Sequence, residues 1–378
     1  MTARVLIIGG YGNFGSWIAA ALALDFDIQL IIAGRSQAKA DAFAQLLDAA
    51  CPAEGHALDI DSDLDAALRS IRPDIVIHTT GPFQHQDYRA GKACIAQGCH
   101  YVDLADARSF VAGVGELDTA AREAGILVVS GASTVPCLTA AIIDHFLPEF
   151  GRLDAVDYGI SAAQQTNRGL ATTAAVLSYV GKPFTTLRDG RMTTVHGWQD
   201  THRVAYPALG NRLFGNCDIP DLSLFPARYP QLRDQRFGAG HELRILHWGS
   251  WALSWLVRLG ILRSLDPWSP RLLKLARRFD RLGSGQSGFH MFLSGTGMDG
   301  KPKTARFFIV ARSGHGPFIP CVPAILLARK LARGELTMRG AKPCLDLIGL
   351  EEYLAAIGHL DVTVHLEGSD APLPATSV

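Results

Sequence analysis

The sequence predicts an α/β protein in which a doubly wound parallel sheet is followed by a second, α+β domain with an antiparallel sheet. Three observations predict it. From residue 4 to about 133, short β-branched runs alternate with helical patterns of Ala, Leu and charged residues, the signature of βαβ units. A glycine-rich turn joins the first strand pattern to the first helix pattern. Beyond about 134 the alternation stops, and residues 288–312 read as two strands around an Asp299-Gly300 hairpin turn.

The first part yields six strands, at 4–9, 28–33, 55–59, 74–79, 100–104 and 126–130, with helices near 13–24, 36–50, 63–71, 86–97 and 113–124. Gly125 stands where a helix C′ residue belongs. The second part opens with a helix near 137–147 and a strand at 154–163. Residues 196–240, rich in Pro, Gly, Asn, Trp and Arg, show no period and read as a long functional loop or lid. An amphipathic helix at 322–334 and a strand at 359–367 close the pattern.

The chain has 378 residues, enough for two domains. Its 36 basic residues balance 36 acidic ones, so no bulk charge draws it to nucleic acid. Seven scattered cysteines form no C-x-x-C pair, and the thirteen histidines show no metal-ligand spacing; neither disulfides nor a metal is expected. The N-terminus enters a strand without the features of a signal peptide, and a cytoplasmic location is expected.

Gly10-Tyr11-Gly12-Asn13-Phe14-Gly15 is a G-x-G-x-x-G that follows a predicted strand and opens a helix. The glycines allow a tight turn, close backbone approach to a pyrophosphate, and close helix–strand packing, with phosphates at the helix N-terminus. This is the Rossmann-type dinucleotide pattern. An NAD-selective site normally places Asp or Glu at the end of the second strand; here stand Arg35 and Ser36, which suit a ribose 2′-phosphate, so NADP is the expected cofactor. Asp59 after strand three is a candidate for the adenine edge, and Thr80, Gly81, Pro82 and Phe83 end strand four where the nicotinamide ribose belongs.

Several segments together resemble the saccharopine dehydrogenase family with its NADP-binding Rossmann domain. Thr80-Gly81-Pro82-Phe83, followed by Ala93-Cys94 and Gly98-Cys99-His100-Tyr101-Val102-Asp103, is similar to that family's G-P-F … A-C … G-x-H-Y-x-D stretch. Gly131-Ala132-Ser133-Thr134-Val135-Pro136 resembles its crossover, and Gly316-Pro317-Phe318-Ile319-Pro320 with Arg339-Gly340-Ala341 its closing segment. The resemblance implies a nicotinamide-dependent oxidoreductase, in the best-known members reducing an imine or running the reverse oxidation. Where many relatives carry Gly-Glu after Y-x-D, this chain has Ala105-Asp106-Ala107-Arg108.

Tyr101, Asp103 and Asp106 at the end of strand five are the catalytic candidates, as proton donors or as hydrogen-bond partners of a substrate amine; capping of the strand end is the competing role. Ser133 and Thr134 precede a helix and are candidates to receive a carboxylate or the nicotinamide amide, against plain N-capping. In the second domain Asn167, Arg168, His202, Arg203, Arg212, Asp218, His290 and Arg306 are candidate substrate contacts that spacing does not single out. Tyr88 and Lys92 share the Y-x-x-x-K spacing of short-chain dehydrogenases but follow strand four, so the match reads as chance.

Trp248, Trp251, Trp255, Leu259 and Leu262 form an apolar helical stripe, expected to pack in the core or a subunit interface. Residues 258–281 carry seven Lys or Arg against two Asp, which opens a second role as a peripheral membrane contact or a lid for an apolar substrate; the run is too short for a transmembrane segment. The expected layout is 1–134 for NADP(H), 135–318 for substrate and dimerisation, 319–367 for a C-terminal helix and strand packing near the domain interface, and 368–378 as a disordered tail. The leading function is reduction of a C=N bond in a small molecule by a homodimer. The rivals are reduction of a carbonyl or C=C bond in an apolar or lipid-like substrate, and a non-catalytic NADP(H)-binding sensor or scaffold.

Overall fold

The computed structural model describes residues 2–167 and 169–368; Arg168 and the expected tail from 369 onward lie outside the described residues. Two compact units divide the chain: Met1–Leu138 with Phe318–Ile348, and Thr139–Pro317 with Gly349–Val378.

The first unit begins with β1 (Ala3–Ile8), α1 (Asn13–Leu22), β2 (Ile28–Gly34), α2 (Gln37–Leu46), β3 (Glu54–Ala57), α3 (Leu64–Ile71), β4 (Ile75–His78), α4 (Arg89–Gln97) and β5 (His100–Asp103). It continues with α5 (Arg108–Gly113), α6 (Asp118–Glu123) and β6 (Leu127–Ser130). All six expected strands form, and a four-residue strand at 340–343 extends the parallel sheet beside β6. The order is that last strand, then β6-β5-β4-β1-β2-β3, the doubly wound arrangement. β1 is almost wholly apolar and buried because helices cover both sheet faces. The helix expected at 113–124 is shorter and preceded by a 3-10 turn, Val114–Leu117, since Gly113 and Gly115 interrupt its start.

The second unit starts with α7 (Thr139–Phe146), β7 (Phe150–Ala162) and α8 (Leu170–Tyr179). The hairpin β8 (Pro183–Arg188) and β9 (Arg191–His196) turns at Asp189 and Gly190, both with positive φ (50° and 74°), the type I′ geometry that matches strand twist. Then come β10 (His202–Tyr206), β11 (Gly210–Asn216), α9 (Asp221–Arg228), β12 (Asp234–His241), α10 (Arg244–Arg258) and α11 (Ser269–Arg277). The expected hairpin at Asp299-Gly300 forms between β13 (Ser287–Gly297) and β14 (Pro302–Ala311). The chain closes with α12 (Val322–Ala332), β15 (Gly340–Pro343), α13 (Leu350–Ile357) and β16 (Val362–Glu367).

The second sheet runs β10-β11-β12-β7-β13-β14-β16, antiparallel except for the β12–β7 pair. Residues 196–240 are therefore not a loop: they build three strands and a helix of this sheet. Their glycines hid the pattern because Gly215, Gly238 and Gly240 lie inside strands, against Trp198, Phe214 and Leu213. The Trp stripe divides: Leu262 packs against a core cluster and Trp251 and Trp255 are half-buried, whereas Trp248 and Leu259 are exposed. Trp248 is 44% exposed, and α10 buries His247, Ser254 and Val257 instead. No helix among the described residues is long and apolar enough to cross a membrane.

α12 belongs to the first unit, where it packs on α1, β4 and β5. Arg329 donates to the Asp25 carboxylate (2.8 Å) and to the Ala21 carbonyl (3.0 Å), and Phe318 meets Trp17 edge-on at 4.8 Å. Leu327 is fully buried there. Leu327→Ala should destabilise the protein by about 2–5 kcal/mol in urea unfolding; a loss under about 1 kcal/mol would show that α12 is not part of this core.

Candidate functional site

The turn after β1 is built on close backbone contacts. Gly9 has a φ of +85°, and its amide donates to the Ala33 carbonyl at 2.8 Å, tying the end of β1 to β2. A Cβ on Gly15 would overlap the Gly9 carbonyl oxygen and lie 2.8 Å from Gly10 Cα, so only glycine lets α1 start this near the strand. A Cβ on Gly10 would lie 3.0 Å from the Ile7 carbonyl, and one on Gly12 2.9 Å from that of Gly9. No side chain caps α1, no acid stands in its first turn, and the amides of Asn13, Phe14 and Gly15 have no partner among the described residues. Those donors and the helix dipole make an anion site that fits a pyrophosphate.

Tyr11 links this turn to the end of β2. Its hydroxyl accepts from the Ser36 amide at 3.1 Å, and its ring lies so close over Gly34 that a Cβ there would meet the hydroxyl at 2.5 Å. Ser36 caps α2 through its hydroxyl, which accepts from the Lys39 amide at 3.4 Å. Arg35, between them, is exposed and forms no ion pair among the described residues. Its guanidinium is free for an incoming anion. Asp59 is exposed in a turn whose next donors, the Asp61 amide and the Ser62 hydroxyl, it accepts at 3.1 and 2.6 Å.

The ends of β4 and β5 carry a buried polar network. Thr80 Oγ1 lies 2.6 Å from His78 Nε2, and His78 Nδ1 lies 2.8 Å from Tyr101 Oη. Burial pushes the His78 imidazole down to about 3, so it is neutral, and pushes the Tyr101 phenol well above its usual range. Asp103 is fully buried; its Oδ1 accepts from the Ala105 amide (2.9 Å), the Gly131 amide (2.8 Å) and the Ser130 hydroxyl (3.0 Å). Burial outweighs those donors and holds its carboxyl up at about 6. Asp106 is half-buried, accepts from Gln84 Nε2 at 3.1 Å, and is also raised by burial. Gly81, Pro82 and buried Phe83 lead into the turn that carries Gln84. Ser133, two residues after Gly131, donates its amide to the Gly131 carbonyl at 2.8 Å, and Thr134 is 5% exposed.

The structure thus brings residues 10–15 with Arg35 and Ser36, and Thr80 with Tyr101, to the carboxyl ends of the strands of one sheet. Spacing missed Gly9, His78, Gln84 and Ser130. A histidine closing the apolar run Ile75-Val76-Ile77 was the available signal for His78. Tyr88 and Lys92 do not form a pair: the Tyr88 hydroxyl donates to the Phe110 carbonyl at 2.5 Å, and Lys92 meets Glu116 at 3.7 Å.

In the second unit, Phe214 stands between His202 and His290, with ring centroids at 5.7 and 4.8 Å. His290 is fully buried, 2.7 Å from Tyr206 Oη, and burial pushes it down to about 3. Arg212 lies 3.7 Å from Glu242, Arg306 covers the Phe292 ring at 5.4 Å, and Arg203 and Asn167 are exposed. Asp218 lies in the segment between β11 and α9.

Residues 5–129 match the family described as Saccharopine dehydrogenase NADP binding domain, so the first unit carries a nicotinamide dinucleotide-binding domain of that family. Over 80 residues the chain is 32% identical to a 4-hydroxy-tetrahydrodipicolinate reductase of Syntrophomonas wolfei, a match spanning 21% of this chain and 29% of that enzyme. The fold is that of the saccharopine dehydrogenase (L-Glu forming) of Saccharomyces cerevisiae, with a TM-score of 0.68 at 15% identity over 97% of this chain and 100% of that one.

Asp103 gives a pH test of this geometry. Its carboxyl is raised on folding, from 3.8 to about 6, so the folded state holds a proton that the unfolded chain has released. That contribution is fully present below about pH 4 and is lost as pH rises through about 6, for a swing of at most about 3 kcal/mol. The stability advantage of wild type over Asp103→Asn should therefore shrink between pH 4 and pH 7 in parallel urea titrations. A pH-independent difference would mean that Asp103 ionises normally.

Proposed function

We propose that this protein is an NADP(H)-dependent oxidoreductase that reduces a C=N bond in a small molecule, or oxidises the corresponding C–N bond. The observation that carries the cofactor reading is the unpaired Arg35 beside Tyr11 and Ser36, where a carboxylate would select the free ribose hydroxyl. Arg35 and the Ser36 hydroxyl would hold the 2′-phosphate, the amides of Asn13, Phe14 and Gly15 the pyrophosphate, and Thr80 the nicotinamide ribose. When bound, the reduced cofactor supplies a hydride.

The C=N assignment is supported by the resemblance at residues 80–103 and by relatives named as a saccharopine dehydrogenase and a tetrahydrodipicolinate reductase. Saturating a C=N bond takes a hydride on carbon and a proton on nitrogen. Asp106 is our proton source, because it is half-buried and its raised carboxyl keeps a proton to higher pH. Asp103 and Tyr101 are closed off from solvent, and we assign them to positioning: Asp103 fixes the ends of β5 and β6, and Tyr101 orients Thr80 through His78.

Two measurements test this reading. Direct titration should show NADPH bound roughly tenfold to a hundredfold more tightly than NADH, from a charge-assisted bond of about 1.5–3 kcal/mol, with the NADPH affinity falling more steeply with salt. Arg35→Asp should shrink or invert the preference; a variant indistinguishable from wild type would remove Arg35 from phosphate recognition. On an amine-plus-keto-acid panel, wild type should oxidise NADPH, and Asp106→Asn should lower kcat by about a hundredfold or more. The rate must fall as pH rises through the raised Asp106 pKa, and this limb should vanish in the variant. Tight NADPH binding without turnover on any substrate would favour a sensor.

A further inference from the structure

α10 buries Val257 and packs Leu253 against the core, yet it also sends polar side chains inward and apolar ones outward. Its polar side chains turn inward: His247 and Ser254 are fully buried, with Thr201 Oγ1 at 3.4 Å from His247 Nε2 and Gln199 Nε2 at 3.4 Å from Ser254 Oγ. Its outer positions are apolar. Ile245 is 61% exposed, Trp248 44% and Leu259, just past its end, 66%. With Ala252, Trp255 and Leu256 they recur every three or four residues and share one helix face. The following segment adds exposed Ile261, Trp268, Leu275 and Leu282.

Charge accompanies this face. Arg271, Lys274, Arg277, Arg278 and Arg281 are exposed and form no ion pair among the described residues. Lys274 and Arg277 line an open groove of about 480 Å³ with Leu170, Pro270 and Leu273, so on α11 itself cations and apolar side chains lie side by side. Arg271 covers the Trp268 ring at 5.2 Å, and Arg258 is tied back to Gln199 and stacked on Trp255.

We propose that residues 244–282 dock on an anionic phospholipid surface, with the outer face of α10 at the boundary between headgroups and acyl chains and the cations of α11 on the phosphates. α10 has 15 residues and spans about 22 Å, too short to cross a bilayer, so it lies in the interfacial plane. A second copy of this chain fits the patch less well, because with equal numbers of acidic and basic residues it carries no net negative charge to meet the cations of α11. Nucleic acid would leave the apolar face unused.

Co-sedimentation of the full chain with phosphatidylcholine vesicles, with and without phosphatidylserine, tests the proposal. Binding is expected only to the phosphatidylserine vesicles, with loss at high salt and a blue shift of tryptophan fluorescence. The exposed substitutions Arg271→Gln, Lys274→Gln, Arg277→Gln and Arg278→Gln together should weaken partitioning by a hundredfold or more, at about tenfold per 1.4 kcal/mol and roughly 1 kcal/mol per cation. Ile245→Ser with Trp248→Ser should weaken it while leaving NADPH affinity unchanged, which keeps this test separate from that of the oxidoreductase reading. Equal binding to neutral vesicles, or none to either, would overturn it. So would a dimer in analytical ultracentrifugation that dissociates in the Ile245→Ser, Trp248→Ser variant while vesicle binding persists.

Discussion

The contact between the Gly9 carbonyl and the missing side chain of Gly15 governs the dinucleotide-binding unit. Because no Cβ fits there, the first turn of α1 starts against the end of β1. The uncapped amides of Asn13, Phe14 and Gly15 are thereby placed at the edge of the sheet. Tyr11 carries the constraint across to β2 by lying on Gly34 and holding the Ser36 amide. The β1–α1 turn and the end of β2 thus move as one piece. Backbone donors attract any phosphate at this edge, and Arg35 is the residue there that adds a full charge, the basis of the selectivity proposed above.

At β4 and β5 the strand ends are fixed by buried polar groups. Neutral imidazole has a single ring proton to give. Whichever of Thr80 and Tyr101 receives the His78 proton, the other must donate to the free nitrogen, so the Thr80 oxygen is held in place whether its hydroxyl accepts or donates. Asp103 performs the matching task between β5 and β6 with three donors on one oxygen. Burying these groups costs desolvation, which the bonds offset, and the gain is precise placement of the loops bearing Gly81, Asp106 and Ser133.

β1, β2, β4 and β6 were legible because a parallel sheet covered on both faces demands apolar runs, while β3 (Glu54–Ala57), half-buried at the sheet edge, was read from the alternation of strands and helices around it. β15 was not legible: Gly340-Ala341-Lys342-Pro343 has no strand composition and is a strand only because β6 offers it an edge. Residues 196–240 failed for the opposite reason. Glycines that signal turns in isolation are demanded here by the close approach of the Trp198 and Leu213 backbones and the Phe214 side chain, a tertiary effect that local composition does not carry. In the site, the glycine motif and Arg35 were readable from spacing. The roles of His78 and Gln84 depend on neighbours more than 20 residues away, Tyr101 and Asp106.

Periodicity also located the Trp stripe while leaving its direction open, since a helical period shows that apolar residues share a face and is silent on what that face meets. Energetics weigh on the answer. A large apolar side chain left in water forgoes about 1.5–3 kcal/mol of burial. For Ile245, Trp248, Leu259 and Ile261, each between 44% and 66% exposed, the sum is on the order of 3–6 kcal/mol. That is a large part of the roughly 5–15 kcal/mol that separates folded from unfolded chains. Turning α10 by half a turn would bury these side chains but would expose the Gln199–Ser254 and Thr201–His247 contacts. The helix is thus held in its orientation by Val257 and Leu253, which pack against Val180 and Trp198, together with the inward polar contacts, an arrangement that gains stability when the outer face leaves water.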